Sequence, residues 1–196
     1  MAVTRIIPLH INKGKTAAQC LKERLDYSLN PEKTDNGKYV KAFGCDLETA
    51  AAQFALSRDM YLYQTDRDYS GDVIAYMIRQ SFKPGEVTPE EANALGSELA
   101  SRYLKGKYAF IVSTHIDKAH IHNHIIWNSV DLKGERKYRD VKYSWKDLKK
   151  LNDKICELHQ KSVIEHPQKS NHVYSNWIGF KGKPCNRDLL REDIDR

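Results

Sequence analysis

The sequence predicts an α/β (α+β) domain: a central, largely antiparallel sheet with helices packed on it. Three observations lead there. Apolar patterning gives elements in the order β-α-β-α-β-α-β-β-α, which suits a sheet covered by helices. The last two strands are separated by a short polar turn, so they are expected to pair antiparallel. Hydrophobic residues make up 40% of a 196-residue chain, enough for an ordinary globular core.

The elements follow in order. Val3–Ile11 is a short β-rich run. Thr16–Leu29 reads as a helix, because Ala18, Leu21, Leu25 and Leu29 recur at three- and four-residue steps. Asn30-Pro31 stops it, since the residue before proline is pushed out of the α region. Tyr39–Cys45 is a strand, Leu47–Tyr63 an Ala-rich helix, and Val73–Phe82 a second long strand. Thr88-Pro89-Glu90-Glu91 is a helix start: threonine caps, proline takes the first helical position, and Glu91 completes a capping box. That helix runs to about Lys105 and stops at Gly106. Lys107–Thr114 and Ile121–Val130 are the paired strands. Ser144–Ile164 is the last long helix, with Ser144 as cap and Asp147 three residues on. Trp145 and Trp177 are expected in the core. The tail is polar and broken by Pro167 and Pro184, and the final RDLLREDIDR starts another helix pattern. The expected organisation is a domain over residues 1–165 and an extension over 166–196 leading into further domains of a longer protein.

Lys plus Arg number 32 against 26 Asp plus Glu, a net charge of +6 at pH 7. This modest excess favours a polyanionic partner without requiring one. The four cysteines, Cys20, Cys45, Cys156 and Cys185, form no CxxC pair, as expected of reduced thiols in a cytoplasmic protein. No apolar run approaches a membrane span, and the start MAVTRIIPLHINKGK does not read as a signal peptide.

Four of the eight histidines fall between residues 115 and 124. The stretch reads His115-Ile-Asp117-Lys-Ala-His120-Ile-His122-Asn-His124-Ile-Ile-Trp-Asn128. On a strand, His120, His122, His124, Ile126 and Asn128 would share one face, and Ile121, Ile125 and Trp127 the other. Imidazoles two apart on a strand have Cα atoms ~7 Å apart and can grip one metal ion. His115, ending the preceding strand, can reach the same point. Three neutral imidazoles with positions left open describe a catalytic metal site rather than a closed structural one. On the first helix, Tyr27 points roughly opposite the leucine stripe and is therefore not core.

This pattern resembles the histidine motif of the P-type conjugative relaxases, within the nucleases with a His-hydrophobic-His (HUH) core. Their motif has His, Asp two on, His-x-His seven and nine after the first, then Asn four later. Here it falls on His115, Asp117, His122, His124 and Asn128. His120-Ile121-His122 matches the literal string and stands as the alternative pair. Leu25-Asp26-Tyr27-Ser28-Leu29-Asn30-Pro31 looks like the family's tyrosine motif, and Gln80-Ser81-Phe82-Lys83-Pro84-Gly85 like a stretch found in relaxases of Gram-positive mobile elements. Met77 stands where relatives often have histidine.

The resemblance implies an HUH-endonuclease palm-like sheet and a relaxase that nicks one DNA strand at an origin of transfer. Tyr27 would be the nucleophile and hold a 5′-phosphate. His115, His122 and His124 would hold a divalent ion, Mn2+ or Mg2+ at work, with Zn2+ or Ni2+ acquired in purification. Asp117 would orient a ligand histidine, and His120 is a candidate base if it is not a ligand. Expected DNA contacts are Lys13, Lys15, Arg24, Asn30, Lys33, Arg79, Ser81, Lys83, Asn128, Arg136 and Arg139. Expected partners are the single strand and hairpin of the transfer origin, and the accessory and coupling proteins of a type IV secretion system. The protein would be cytoplasmic and could travel to the recipient with the DNA.

Three rival readings remain. Tyr143-Ser-Trp-Lys146 fits the Tyr-x-x-Lys string of rolling-circle replication initiators. A zinc-stabilised DNA-binding module without activity would also use the histidines. A zinc hydrolase lacks any His-Glu-x-x-His helix.

Overall fold

The strand carrying the histidines is buried along its whole length and sits at the centre of the sheet. Everything else is arranged to cover its two faces. The computed structural model describes residues 2–66 and 73–164. The expectations for Trp177, Cys185, the terminal helix pattern and the 166–196 extension lie outside the described residues.

The strands are β1 (Ala2–His10), β2 (Val40–Phe43), β3 (Val73–Phe82), β4 (Phe110–His115) and β5 (His122–Asn128). They form a five-stranded sheet in the order β1-β3-β5-β4-β2, and every pairing is antiparallel. The predicted antiparallel pair is β4 and β5, with Phe110 opposite Trp127 and His115 opposite His122.

The helices are α1 (Ala17–Ser28), α2 (Pro31–Thr34), α3 (Ala50–Thr65), α4 (Pro89–Leu104) and α5 (Ser144–Leu158). Helices α1 and α3 cover one face through Leu21, Leu25 and Phe54, packed with Ile111 and Ile126. Helices α4 and α5 cover the other through Leu95, Leu99, Leu148 and Ile155, packed with Ile78, Ile125 and Trp127. Two-sided cover explains why β4 and β5 are buried at every position. Among the described residues, no helix is long and apolar enough to cross a membrane.

Local signals account for most helix ends. Thr88 and Glu91 form the expected capping box, and Lys105 closes α4 in the left-handed region. Thr16 and Gln19 form a second box on α1.

Several sequence expectations need correction. The buried face of α1 is Cys20, Leu21, Leu25 and Ser28, so the stripe is rotated and Ala18 is exposed. A one-turn helix, α2, follows Asn30-Pro31 where the sequence suggested only a stop; Pro31 opens it and Asn30 caps it. Ser144 does not cap α5: its Oγ accepts the Val141 N–H, and Tyr143 is the capping residue without a side-chain bond. Helix α5 ends at Leu158, six residues early, and the chain is then tied back by Lys161 Nζ to Glu91 at 3.0 Å and Ser162 N–H to Glu86 at 2.8 Å. Trp145 is exposed rather than core: it stands in the first turn of α5, ahead of Leu148, the first hydrophobic residue with which that helix enters the core.

Thr88 Oγ1 accepts the Glu91 N–H at the start of α4. Thr88→Ala should cost about 1 kcal/mol. Urea unfolding followed by circular dichroism should show a lower midpoint with an unchanged slope.

Candidate active site

The β4–β5 register assembles the site. His115 stands opposite His122, and Ser113 opposite His124. Side chains directly opposite share a face, so all three imidazoles point to the side covered by α1. Ring centroids are 4.5 Å apart for His115 and His124, 5.2 Å for His115 and His122, and 5.1 Å for His122 and His124.

Each ring has one nitrogen spoken for. His115 Nε2 lies 2.9 Å from the Ser28 carbonyl, His122 Nδ1 lies 3.4 Å from the His120 carbonyl, and His124 Nδ1 lies 3.2 Å from the Met77 thioether sulfur. Carbonyl oxygen and thioether sulfur accept hydrogen bonds but donate none. Those nitrogens therefore carry the protons. The bare nitrogens are His115 Nδ1, His122 Nε2 and His124 Nε2. Two of them, His115 Nδ1 and His124 Nε2, are buried with no hydrogen-bond partner among the described residues. One nitrogen from each ring forms a set lying within 4.8 Å of one another. Buried, bare, convergent imidazole nitrogens are what a divalent cation requires, so the residues present fit a metal ion.

Burial also holds the rings neutral. It pushes His124 down to about 3 and His122 down to about 4, and it lowers His115 as well. Mutual repulsion among the rings and the Lys33 charge add to the effect at His124. At neutral pH no proton competes for the open nitrogens.

Tyr27 is half exposed, in the last turn of α1. Its ring centroid is 5.7 Å from His115 and 5.8 Å from His124. The Lys33 ammonium sits over the phenol ring, 4.1 Å from its centre. The neighbouring Ser28 fastens this helix end to the sheet. Its carbonyl accepts from His115, and its hydroxyl is 2.6 Å from that of Ser113, with both residues buried.

The remaining expected residues divide. Asp117 lies 3.9 Å from Lys33 Nζ, and the three ring N–H groups have other acceptors, so it does not orient a ligand histidine. His120 precedes β5 on an exposed turn, which removes it from the strand face it was expected to share; its ring lies tilted against that of His122, centroids 5.3 Å apart. Arg79 is exposed and pairs across the ladder with His124, while Ser81 pairs with His122. Lys83 is exposed just past β3. Arg24 is exposed on α1.

Lys13 and Lys15 precede α1, whereas Tyr27 ends it, about 15 Å or more away at 1.5 Å per helical residue. Lys15 is also paired to Glu23 at 2.6 Å. Asn30 spends its side chain capping α2. Asn128 is buried at the far end of β5, where its side chain accepts the Val130 N–H. Arg136 and Arg139 are exposed but follow that same far end, away from the histidines. Tyr143 is half exposed at the start of α5, which packs the opposite face, and among the described residues its ring meets the Lys142 and Lys146 ammonium groups.

Sequence reasoning missed Ser28, Ser113 and Arg5. Arg5 is exposed and pairs with Arg79, extending the basic edge beside the site. The alternation of β1 could have flagged Arg5; nothing local marks the two serines.

Fold and site together define a class: an antiparallel-sheet nuclease domain whose histidine trio faces a tyrosine. Residues 27–161 match the family model "Relaxase: MobA/VirD2-like, nuclease domain", and the chain belongs to that family. Among similar proteins are a protein named Rlx from Staphylococcus aureus, 38% identical over 156 residues, and the group II intron-interrupted relaxase LtrB of Lactococcus lactis subsp. cremoris, 26% identical over 190. These alignments span 79% and 77% of the chain but only 45% and 33% of the relatives. The chain thus spans less than half the length of the curated relatives it matches. A solved structure titled "Molecular Basis of Vancomycin Resistance Transfer in Staphylococcus aureus" shares the fold, with a TM-score of 0.52 and 17% identity, covering 83% of this chain and 96% of that one.

The depressed histidines set a pH dependence. In the unfolded chain each would titrate near 6.5, against about 4 and about 3 for folded His122 and His124. Below pH 6.5 the unfolded state takes up protons that the folded state does not. Metal-free protein should therefore keep its full stability above about pH 6.5 and lose it progressively as pH falls toward 4. Thermal melts in EDTA across that range check this; a flat profile would contradict it.

Proposed function

We propose that this domain is the nicking module of a relaxase that starts conjugative transfer by cutting one strand at an origin of transfer. The observation that carries it is the half-exposed Tyr27 phenol beside His115 and His124. In the step, Tyr27 Oη bonds to phosphorus and the bond from phosphorus to the 3′-oxygen breaks. The phenolic proton passes to a base, and the departing oxygen is protonated to a 3′-hydroxyl. The product is a 5′-phosphotyrosyl ester, which conserves the bond for later rejoining.

His115 Nδ1, His122 Nε2 and His124 Nε2 would hold the divalent ion, Mn2+ or Mg2+. When bound, the ion neutralises charge on the scissile phosphate. Lys33 holds the Tyr27 ring and sets a positive charge beside it, and Asp117 holds Lys33. His120, exposed and outside the trio, is the candidate proton acceptor. Arg79, Arg5, Ser81 and Lys83 form the edge over which the DNA backbone would run, giving salt-sensitive binding. In the full-length protein, the secretion channel and its coupling proteins are the further partners.

The test incubates the protein with Mn2+ and single-stranded oligonucleotides covering a transfer-origin region, and reads covalent adducts on a denaturing gel. Wild type and Tyr143→Phe should form the adduct; Tyr27→Phe and EDTA-treated protein should not. Loss with Tyr143→Phe alone would make the protein a replication initiator. No adduct at all, with EDTA-insensitive DNA binding, would leave a structural zinc module.

A second prediction concerns Lys33. Lys33→Met should slow adduct formation about tenfold and Lys33→Arg much less, and neither should weaken Mn2+ binding. Single-turnover kinetics and calorimetry separate the two effects.

A further inference from the structure

Between the two histidines of β5 stands Asn123. Strand alternation turns it to the opposite face, into the layer of Ile78, Ile125, Trp127 and Leu95. A buried amide there is costly unless its hydrogen bonds are made.

They are made. Asn123 Oδ1 accepts from Thr114 Oγ1 at 2.7 Å. Its Nδ2 donates to Gln80 Oε1 at 2.8 Å and to the Ala92 carbonyl of α4 at 2.6 Å. The partners are themselves held. Gln80 donates to Asn152 of α5 at 2.8 Å, and Asn93 of α4 donates to Thr114 at 3.0 Å and to the Tyr39 carbonyl at 2.9 Å. All five side chains are at most 4% exposed. Room for the amide comes from Gly96: a Cβ on that residue would stand 2.4 Å from Asn123 Nδ2.

The register places this network at the site. Thr114 is opposite Asn123, and the flanking pairs are His115 with His122 and Ser113 with His124. The bond from Thr114 to Asn123 thus joins β4 to β5 at the one step from which all three candidate ligands rise.

We propose that Asn123, through Thr114 and Gln80, is a positioning residue that holds the three imidazoles in metal-binding geometry. A satisfied buried network fixes one arrangement where an apolar contact would permit small slips. The ligands and their supports then behave as one unit. This rests on the metal-binding reading of the trio.

The test measures Mn2+ affinity by calorimetry and the visible absorption of bound Co2+, for wild type, Asn123→Leu, Asn123→Asp, Thr114→Val and Gly96→Ala. Ile155→Val, in the same core layer but outside the network, is the control. Melting temperatures are recorded for all. Wild type should bind one ion. The network variants should bind about 10-fold or more weakly, with a changed Co2+ spectrum. Ile155→Val should keep affinity and spectrum despite a lower melting temperature. If Asn123→Leu does not fold, the near-isosteric Thr114→Val carries the test. Wild-type affinity and spectrum in the folded network variants would overturn the proposal while leaving the metal site intact. Equal weakening in Ile155→Val would make the effect one of general stability and also overturn it. No binding by wild type would instead remove the metal-binding reading itself.

Discussion

The structure depends on one register. Pairing His115 with His122 across β4 and β5 puts Ser113 beside His124 and Thr114 beside Asn123. A slip of one residue would send His122 and His124 into the layer under α4 and α5, and Asn123 toward α1. Both layers oppose such a slip. Ile126 and Ile111 pack under α1 and α3, and Ile125, Val112 and Trp127 pack under α4 and α5. Hydrophobic burial on two faces thus holds the imidazoles in place, and the polar ladder at Asn123 marks the same register chemically.

That burial has an electrical consequence. Shielded from water and crowded together, the imidazoles are poor homes for protons. Their ring N–H groups are directed to a carbonyl of α1, a carbonyl of the preceding turn and a thioether, leaving the remaining nitrogens bare. Met77 belongs to this arrangement. Its thioether accepts from His124 Nδ1 without offering a competing proton or charge.

The sequence revealed those parts whose signals are local. Alternation at 122–128, the box at Thr88 and Glu91, and the outward placement of Tyr27 all survive in the structure. The parts it concealed are contacts across the chain. Ser28 and Ser113 are 85 residues apart, and Gln80 and Asn152 are 72 apart. Sequence spacing carries no trace of such pairs. Asp117 shows the converse. Its motif position suggested a histidine partner, but the turn carrying it faces Lys33 on α2, a helix the proline had concealed. Trp145 was misassigned for a related reason: its size argued for the core, but it stands in the first turn of α5, ahead of Leu148, where that helix enters the core.

The serine latch explains how a tyrosine at a helix end can stay beside a site that it does not bond. Helix termini fray, and a half-exposed ring has many rotamers to lose. Here the residue after Tyr27 is buried and double-tied: its hydroxyl to Ser113, its carbonyl to His115. Lys33 then closes over the ring from α2, whose start is fixed by Asn30 and Pro31. The carbonyl does two things at once. It terminates the helix at the sheet, and it selects the His115 tautomer that leaves Nδ1 bare. Placement of the tyrosine and readiness of the histidine trio are therefore consequences of the same hydrogen bond, so a shift of the α1 end would disturb both together.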